Sequence, residues 1–202
     1  MHPNAAFRHA DRALLETLLE EVGFGMVFAQ TPDGPRVAHV PLLYTRDGTV
    51  QFHLARGNAL TRHLDGATVL AVVGGPDGYV SPRWYPDGGA DQVPTWNYVA
   101  LEIEGRVRRL DEAGLIGQIT ALSAKHEARI AKGEPWTMDK LSEARASGLI
   151  KAIVGFEIEV QVWRETLKLS QNKPAADRAA LADALEAEGA VAVAHMMRNL
   201  TQ

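Results

Sequence analysis

Two runs of alternating apolar and polar residues dominate the chain. From Tyr98 to Leu110, Val99, Leu101, Ile103 and Val107 fall on one side and Glu102, Glu104 and Arg106 on the other. From Ile153 to Arg164, Val154, Phe156, Ile158, Val160 and Val162 alternate with Glu157, Glu159 and Gln161. A period of two is that of a strand with one buried face. Shorter extended stretches precede them. Residues 24–30 and 36–44 flank Thr31-Pro32-Asp33-Gly34-Pro35, a turn by composition, and so predict an antiparallel hairpin. Thr49 to Ala55 follows a second turn, and Thr68 to Val73 is a β-branched strand that Gly74-Gly75-Pro76 should end.

Helical spacing covers the rest. Leu14, Leu15, Leu18, Leu19 and Val22 share a face of a helix over 11–22, closed by Gly23. Asn58 to Asp65 reads as one or two helical turns. Asp111 should cap a long helix to about Lys132, with Leu115, Ile119, Leu122 and Ile130 on one side and Gly133 as its stop. Further helices are expected over 139–147, after Pro174, and beyond Gly189 to about Leu200. Strands joined mostly by tight turns, with helices between them, describe a mainly β, α+β protein: a small antiparallel barrel of six strands with peripheral helices. It reads as one domain over 1–202, the helices of about 174–200 forming an appendage. The βαβ alternation of a parallel sheet is absent, and no GxGxxG or Walker-type loop supports a Rossmann or P-loop nucleotide site.

One stretch breaks the pattern. Gly78 to Tyr98 holds Tyr79, Trp84, Tyr85, Trp96 and Tyr98, among prolines 82, 86 and 94 and glycines 78, 88 and 89. Large rings on irregular backbone either plug a core or dimer contact, or line a site for something flat, with Ser81, Thr95 and Asn97 as polar groups at its edge. Composition leaves both open. Three other segments carry candidate chemistry. His53-Leu54-Ala55-Arg56-Gly57-Asn58 falls where a strand ends and a helical turn begins; backbone N–H groups and Arg56 there suit a phosphate monoester, or else Asn58 is a plain cap and Arg56 a solvated residue. Ala38-His39-Val40-Pro41 suits a strand edge that meets a ligand, or an ordinary edge strand with a packed histidine. Lys168-Leu169-Ser170-Gln171-Asn172-Lys173 crowds polar groups at a strand end, which is also what a solvated turn before a helix does.

Charge and composition narrow the classes. The 202 residues carry a formal net charge of −4 and are 46% hydrophobic, so a globular fold is expected, and no basic stripe favours nucleic-acid phosphates. There is no cysteine, which removes disulfide and thiolate chemistry and fits a cytoplasmic protein. No apolar run is long enough to span a bilayer and no signal core is evident. The seven histidines show no HExxH spacing, so no metal is expected. Ser81 lacks nucleophile-elbow glycines, and Glu102 and Glu104 read as ordinary solvent residues.

Taken in order, the segments resemble the PaiB-like family of FMN-binding negative transcriptional regulators, a branch of the FMN-binding split barrels. The residues that carry the resemblance are Ala38–Leu42, His53–Arg56 with Asn58, Gly75-Pro76, Tyr79–Pro82 with Trp84-Tyr85, Val93–Tyr98, Ile153–Phe156 and Lys168–Lys173. The chain departs from the family at Met1-His2-Pro3, where a tyrosine is usual second, and at Ala59 and Thr61, where Pro and Trp are usual. The resemblance implies a six-stranded split barrel that forms a homodimer, with FMN at the interface. The phosphate would lie near His53, Leu54, Ala55, Arg56 and Asn58. The ring edge would meet backbone of Ala38, His39, Val40 and Pro41. Tyr79, Ser81, Thr95, Trp96 and Asn97, with Lys168 and Gln171, would complete the cofactor-binding set, in part from the partner chain. Three functions follow as expectations: a flavin-dependent sensor or regulator, with a small-molecule ligand and without direct binding to DNA; a flavin-dependent oxidoreductase on a small molecule; and a haem-binding or haem-degrading split barrel. No residue stands out as a catalytic proton donor.

Overall fold

A computed structural model describes residues 2–8 and 11–200; Met1 and His9 lie outside the described residues. The strands among them number seven: β1 (Phe24–Thr31), β2 (Gly34–Pro41), β3 (Leu43–Tyr44), β4 (Val50–Ala55), β5 (Thr68–Val80), β6 (Thr95–Arg109) and β7 (Ile153–Lys168). They form a sheet in the order β2-β1-β5-β6-β7-β4-β3. The seventh is the two-residue β3, split from β2 at Leu42. The helices are α1 (Arg12–Val22), α2 (Glu112–Glu127), α3 (Glu143–Lys151), α4 (Ala175–Ala187) and α5 (Val191–Asn199). The mainly antiparallel sheet with helices around it is the expected class.

The chain forms two compact units, and β5, β6 and β7 each contribute a segment to both. One comprises Glu16–Val73 and Glu102–Trp163. Here β1 and β2 pair from Phe24↔Pro41 to Thr31↔Gly34 across the two-residue turn Pro32-Asp33, with Gly34 at φ +97°. β4 pairs with β7 from Val50↔Ile158 to Ala55↔Ile153, and the rings of Phe52 and Phe156 stack at 5.5 Å in the core. β6 and β7 approach so closely at Gly105 that a Cβ there would meet the Glu159 carbonyl oxygen at 2.2 Å. The other unit comprises Met1–Leu15, Gly74–Leu101 and Arg164–Gln202. In it Leu181, Leu185 and Val193 of α4 and α5 are buried, and a Cβ on Gly78 would meet Leu185 at 2.8 Å. The glycine lets the helices close on β5.

The alternation along β6 holds: Val99, Leu101, Ile103 and Val107 are all buried. Along β7 the apolar side is buried at Val154, Phe156 and Ile158, but Glu157 on the other side is buried as well, and Val162 further on is exposed. Glu157 accepts from Arg108 Nε and Nη2 and from Gln51 Nε2 at 2.7–2.9 Å, which offsets the cost of burying a carboxylate. β5 does not end at Gly74-Gly75-Pro76. Gly75 lies against Val99 with no room for a side chain, and the pairing with β1 covers Leu70–Val72, so Pro76 falls outside that paired stretch. α2 begins as expected, with Asp111 Oδ1 accepting from Gly114 N at 2.7 Å. It stops at Glu127, which leaves Ile130 exposed and Gly133 beyond the helix. The helix expected over 139–147 is a single 3-10 turn, Met138–Lys140, followed by α3 with its cap on Ser142. Asn58 to Asp65 is a chain of turns rather than a helix.

Candidate functional site

The first group of candidate residues lies in the unit built on β1, β2, β4 and β7. Ala38 and Val40 point into the core, His39 is exposed and Pro41 half-buried. β2 is the edge of the sheet and packs near β4. An edge strand has a row of backbone N–H and C=O groups outside the ladder. At the end of β4 the chain turns: Asn58 N donates to Ala55 O at 2.9 Å, Asn58 Oδ1 accepts from Leu60 N at 2.9 Å, and Thr61 Oγ1 donates to Ala55 O at 2.9 Å. Because no helix starts here, the helix-dipole contribution expected from the sequence is absent, and Arg56 N and Asn58 N are donated to Ala152 O and Ala55 O, so the donors the turn can offer an anion reduce to the Gly57 N–H and the Arg56 side chain. Arg56 is exposed. Its Nε donates to Lys151 O at 2.8 Å and its Nη2 to Ile153 O at 3.2 Å, leaving Nη1 unengaged among the described residues. It lines a hollow of about 120 Å³ together with Arg109, Lys151, Asp111 and Glu112.

His53 stands apart from this. Leu54 beside it is core, while the imidazole faces an apolar cavity of about 160 Å³ walled by Trp136, Met138, Leu149 and Ile150. Its Nδ1 is buried without a hydrogen-bond partner. Burial pushes its pKa down from the ordinary value, so the ring is neutral at pH 7.

The second group lies in the other unit. Tyr79 meets Trp84 and Trp96 edge-on, at 6.3 and 6.2 Å between centroids, and Tyr79 and Trp96 are 44% and 53% exposed. Rings so uncovered present an apolar surface that a flat ligand or a partner chain would bury. The neighbouring polar residues are occupied by the protein itself. Ser81 Oγ accepts from Arg83 N at 3.3 Å. Lys168 Nζ donates to Thr95 Oγ1 at 2.6 Å and to Trp96 O at 2.5 Å, fixing the start of β6. Asn97 is fully buried; its Nδ2 donates to Ser170 Oγ at 3.0 Å and to Met197 Sδ at 3.3 Å. Gln171 spends both side-chain atoms on its own turn, accepting from Leu169 N and donating to Leu167 O.

The structure thus joins Ala38–Pro41 to the His53–Asn58 segment in one unit and Tyr79, Thr95, Trp96 and Lys168 in the other. Gln118 is a residue that sequence reasoning missed: 1% exposed, with neither amide atom partnered. Its spacing, three after Leu115 and four before Leu122, was the available signal. In the first unit, edge backbone and a guanidinium with a spare nitrogen suit an anionic group; in the second, uncovered aromatic rings suit a flat one.

Comparison with known proteins bears on the family of the chain. Residues 1–162 match the family model FMN_bind_2, described as "Putative FMN-binding domain". The chain is 32% identical over 163 residues to Protease synthase and sporulation protein PAI 2 of Bacillus subtilis (strain 168), covering 79% of this chain and 76% of that protein. Among solved structures it is similar to the FAD and heme binding protein from Mycobacterium smegmatis, with TM-score 0.60, 17% identity, and 80% of this chain and 73% of that one covered. It is also similar to the flavocytochrome Anf3 from Azotobacter vinelandii, with TM-score 0.61, 13% identity, and 83% and 72% covered. At such identities these two show the shared fold.

Proposed function

Because the chain belongs to the FMN_bind_2 family of FMN-binding domains, we propose that it acts as a flavin-dependent regulator, a cytoplasmic homodimer that holds FMN at the interface. The observation that carries this reading is the edge strand β2 lying near β4, whose end carries Arg56. Arg56 Nη1 and the Gly57 N–H hold the phosphate, the N–H groups of Arg56 and Asn58 being donated to Ala152 O and Ala55 O; backbone of Ala38, His39, Val40 and Pro41 meets the ring edge; Tyr79 and Trp96 of a second copy cover the ring face. His53, Leu54 and Ala55 contribute main chain and packing. Ser81, Thr95, Asn97, Lys168 and Gln171, all bonded within the protein, position those rings rather than touch the flavin.

Bound FMN supplies reversible redox chemistry, and the protein's part is to bind it, orient it and limit its exposure to water. An acidic chain with no basic recognition helix supports a regulator that acts through a partner or a ligand rather than by gripping DNA. Titration of FMN into purified protein, followed by flavin fluorescence and the visible spectrum, tests the reading, together with mass measurement in solution. Quenching with a shifted spectrum and a dimer mass is expected. Unquenched flavin would end it, and a tight gel shift with steep salt dependence would overturn the indirect mode of regulation.

A further inference from the structure

Tyr85 and the end of β7 border a second cavity of about 260 Å³ that the flavin reading does not use. Lys168 and Lys173 both line it. An ammonium carries three N–H donors. Lys168 spends two, on Thr95 and Trp96, and Lys173 spends one, on Gln92 Oε1 at 2.7 Å. Neither pairs with a carboxylate among the described residues. Partial burial and, after it, the nearby Lys173 charge push the Lys168 pKa down. Two rings stand in the lining beside these ammonium groups: Lys168 Nζ sits 5.9 Å from the Phe7 ring centroid and Lys173 Nζ 5.5 Å from that of Tyr85. The backbone is held unusually as well. Asp91 and Ser170, the non-glycine residues with positive φ among the described ones, at +59° and +60°, both line this cavity, and such conformations cluster at ligand clamps.

We propose that this cavity binds a small aromatic monocarboxylate as an effector of the protein, the carboxylate set against Lys168 and Lys173 and the ring against Phe7 and Tyr85. Two lysines and the Asp91 carboxylate leave one net positive charge on the lining, which matches a monoanion better than a phosphate dianion. Asp87 and Asp177 act on the Tyr85 hydroxyl, raising its pKa after burial does, but do not line the cavity. The volume is below the ~300–1,000 Å³ of drug-sized sites, so a single ring fits and a nucleotide does not. The inference does not depend on flavin binding.

Calorimetric titration of the full chain with benzoate, and separately with neutral benzyl alcohol, tests it. Benzoate should bind about tenfold or more tightly than the alcohol, as a charge-assisted contact requires. Lys173→Met should lose that preference, and Lys173→Arg should keep it. FMN quenching, measured in parallel, should be unaffected by Lys173→Met and by saturating benzoate. Equal binding of acid and alcohol, no benzoate binding at millimolar concentration, or full benzoate affinity in a folded Lys173→Met variant would overturn the proposal. So would competition between benzoate and FMN, which would make the cavity part of the flavin wall. The wild-type comparison of acid and alcohol decides the matter even where a variant fails to fold. Benzoate binding without any flavin binding would leave this inference standing and remove only the flavin reading.

Discussion

The strand-end region around Ala38–Asn58 and the aromatic region around Tyr79–Lys173 provide polar groups in opposite ways. The first draws on main chain, with an unpaired edge, a tight turn and one arginine that braces two carbonyls while keeping a nitrogen spare. The second draws on side chains that bind one another, the Lys168 and Asn97 contacts fixing the start of β6 beneath exposed rings. A backbone site tolerates changes in most of its side chains. A side-chain network does not, because removing one member strands the others.

That contrast gives its largest effect at the one side chain on which the backbone site depends. Arg56→Ala should weaken FMN binding by about 1.5–3 kcal/mol, the range for hydrogen bonds to charged groups, or roughly ten- to 150-fold. Since Arg56 is exposed, the folded state should lose far less. Flavin titration beside urea unfolding separates the two, and equal losses in both would place Arg56 in the fold alone. Asn97→Leu probes the other region. It strips the partner from buried Ser170, so a loss of about 1–3 kcal/mol in unfolding free energy is expected. A neutral result would show the pair to be dispensable and break the contrast. Trp96→Ala removes an exposed ring and should cost little stability. FMN affinity should fall by about tenfold, the effect of one aromatic stacking contact near 1.4 kcal/mol, with the dimer mass unchanged. Unaltered affinity would take Trp96 off the flavin.

What was legible in the sequence follows the same division. Strand alternation exposed β6 and the apolar side of the first part of β7, since a buried face leaves a period of two. The hairpin and the Asp111 cap were equally plain, because turn and cap chemistry is local. The failures came where a distant residue decides. β5 runs on past Gly74-Gly75 because Val99 needs the space a side chain would fill. Glu157 is buried because Arg108 and Gln51 come to it from other strands. The candidate residues were found by type, but type did not reveal that Gln171 is spent on its own turn or that the His53 ring faces Trp136 and Met138.

His53 carries the smallest expected effect and the sharpest sign. Burial lowers its pKa in the folded protein below the ordinary 6.5 that the unfolded chain has. Between those two values the unfolded state holds a proton that the folded state resists, so stability rises with pH across that window. The contribution is full above about 6.5 and is lost as pH falls towards the folded value. Below that value both states are protonated and the slope vanishes. Urea midpoints taken from about pH 7.5 down to about pH 5 should therefore fall more for the wild type than for His53→Gln, whose side chain stays neutral throughout. The difference between the two curves removes whatever the other histidines contribute. Parallel curves would mean that the imidazole accepts its proton as readily folded as unfolded. His53 would then belong with the open, backbone-built phosphate region, not with the apolar cavity behind it.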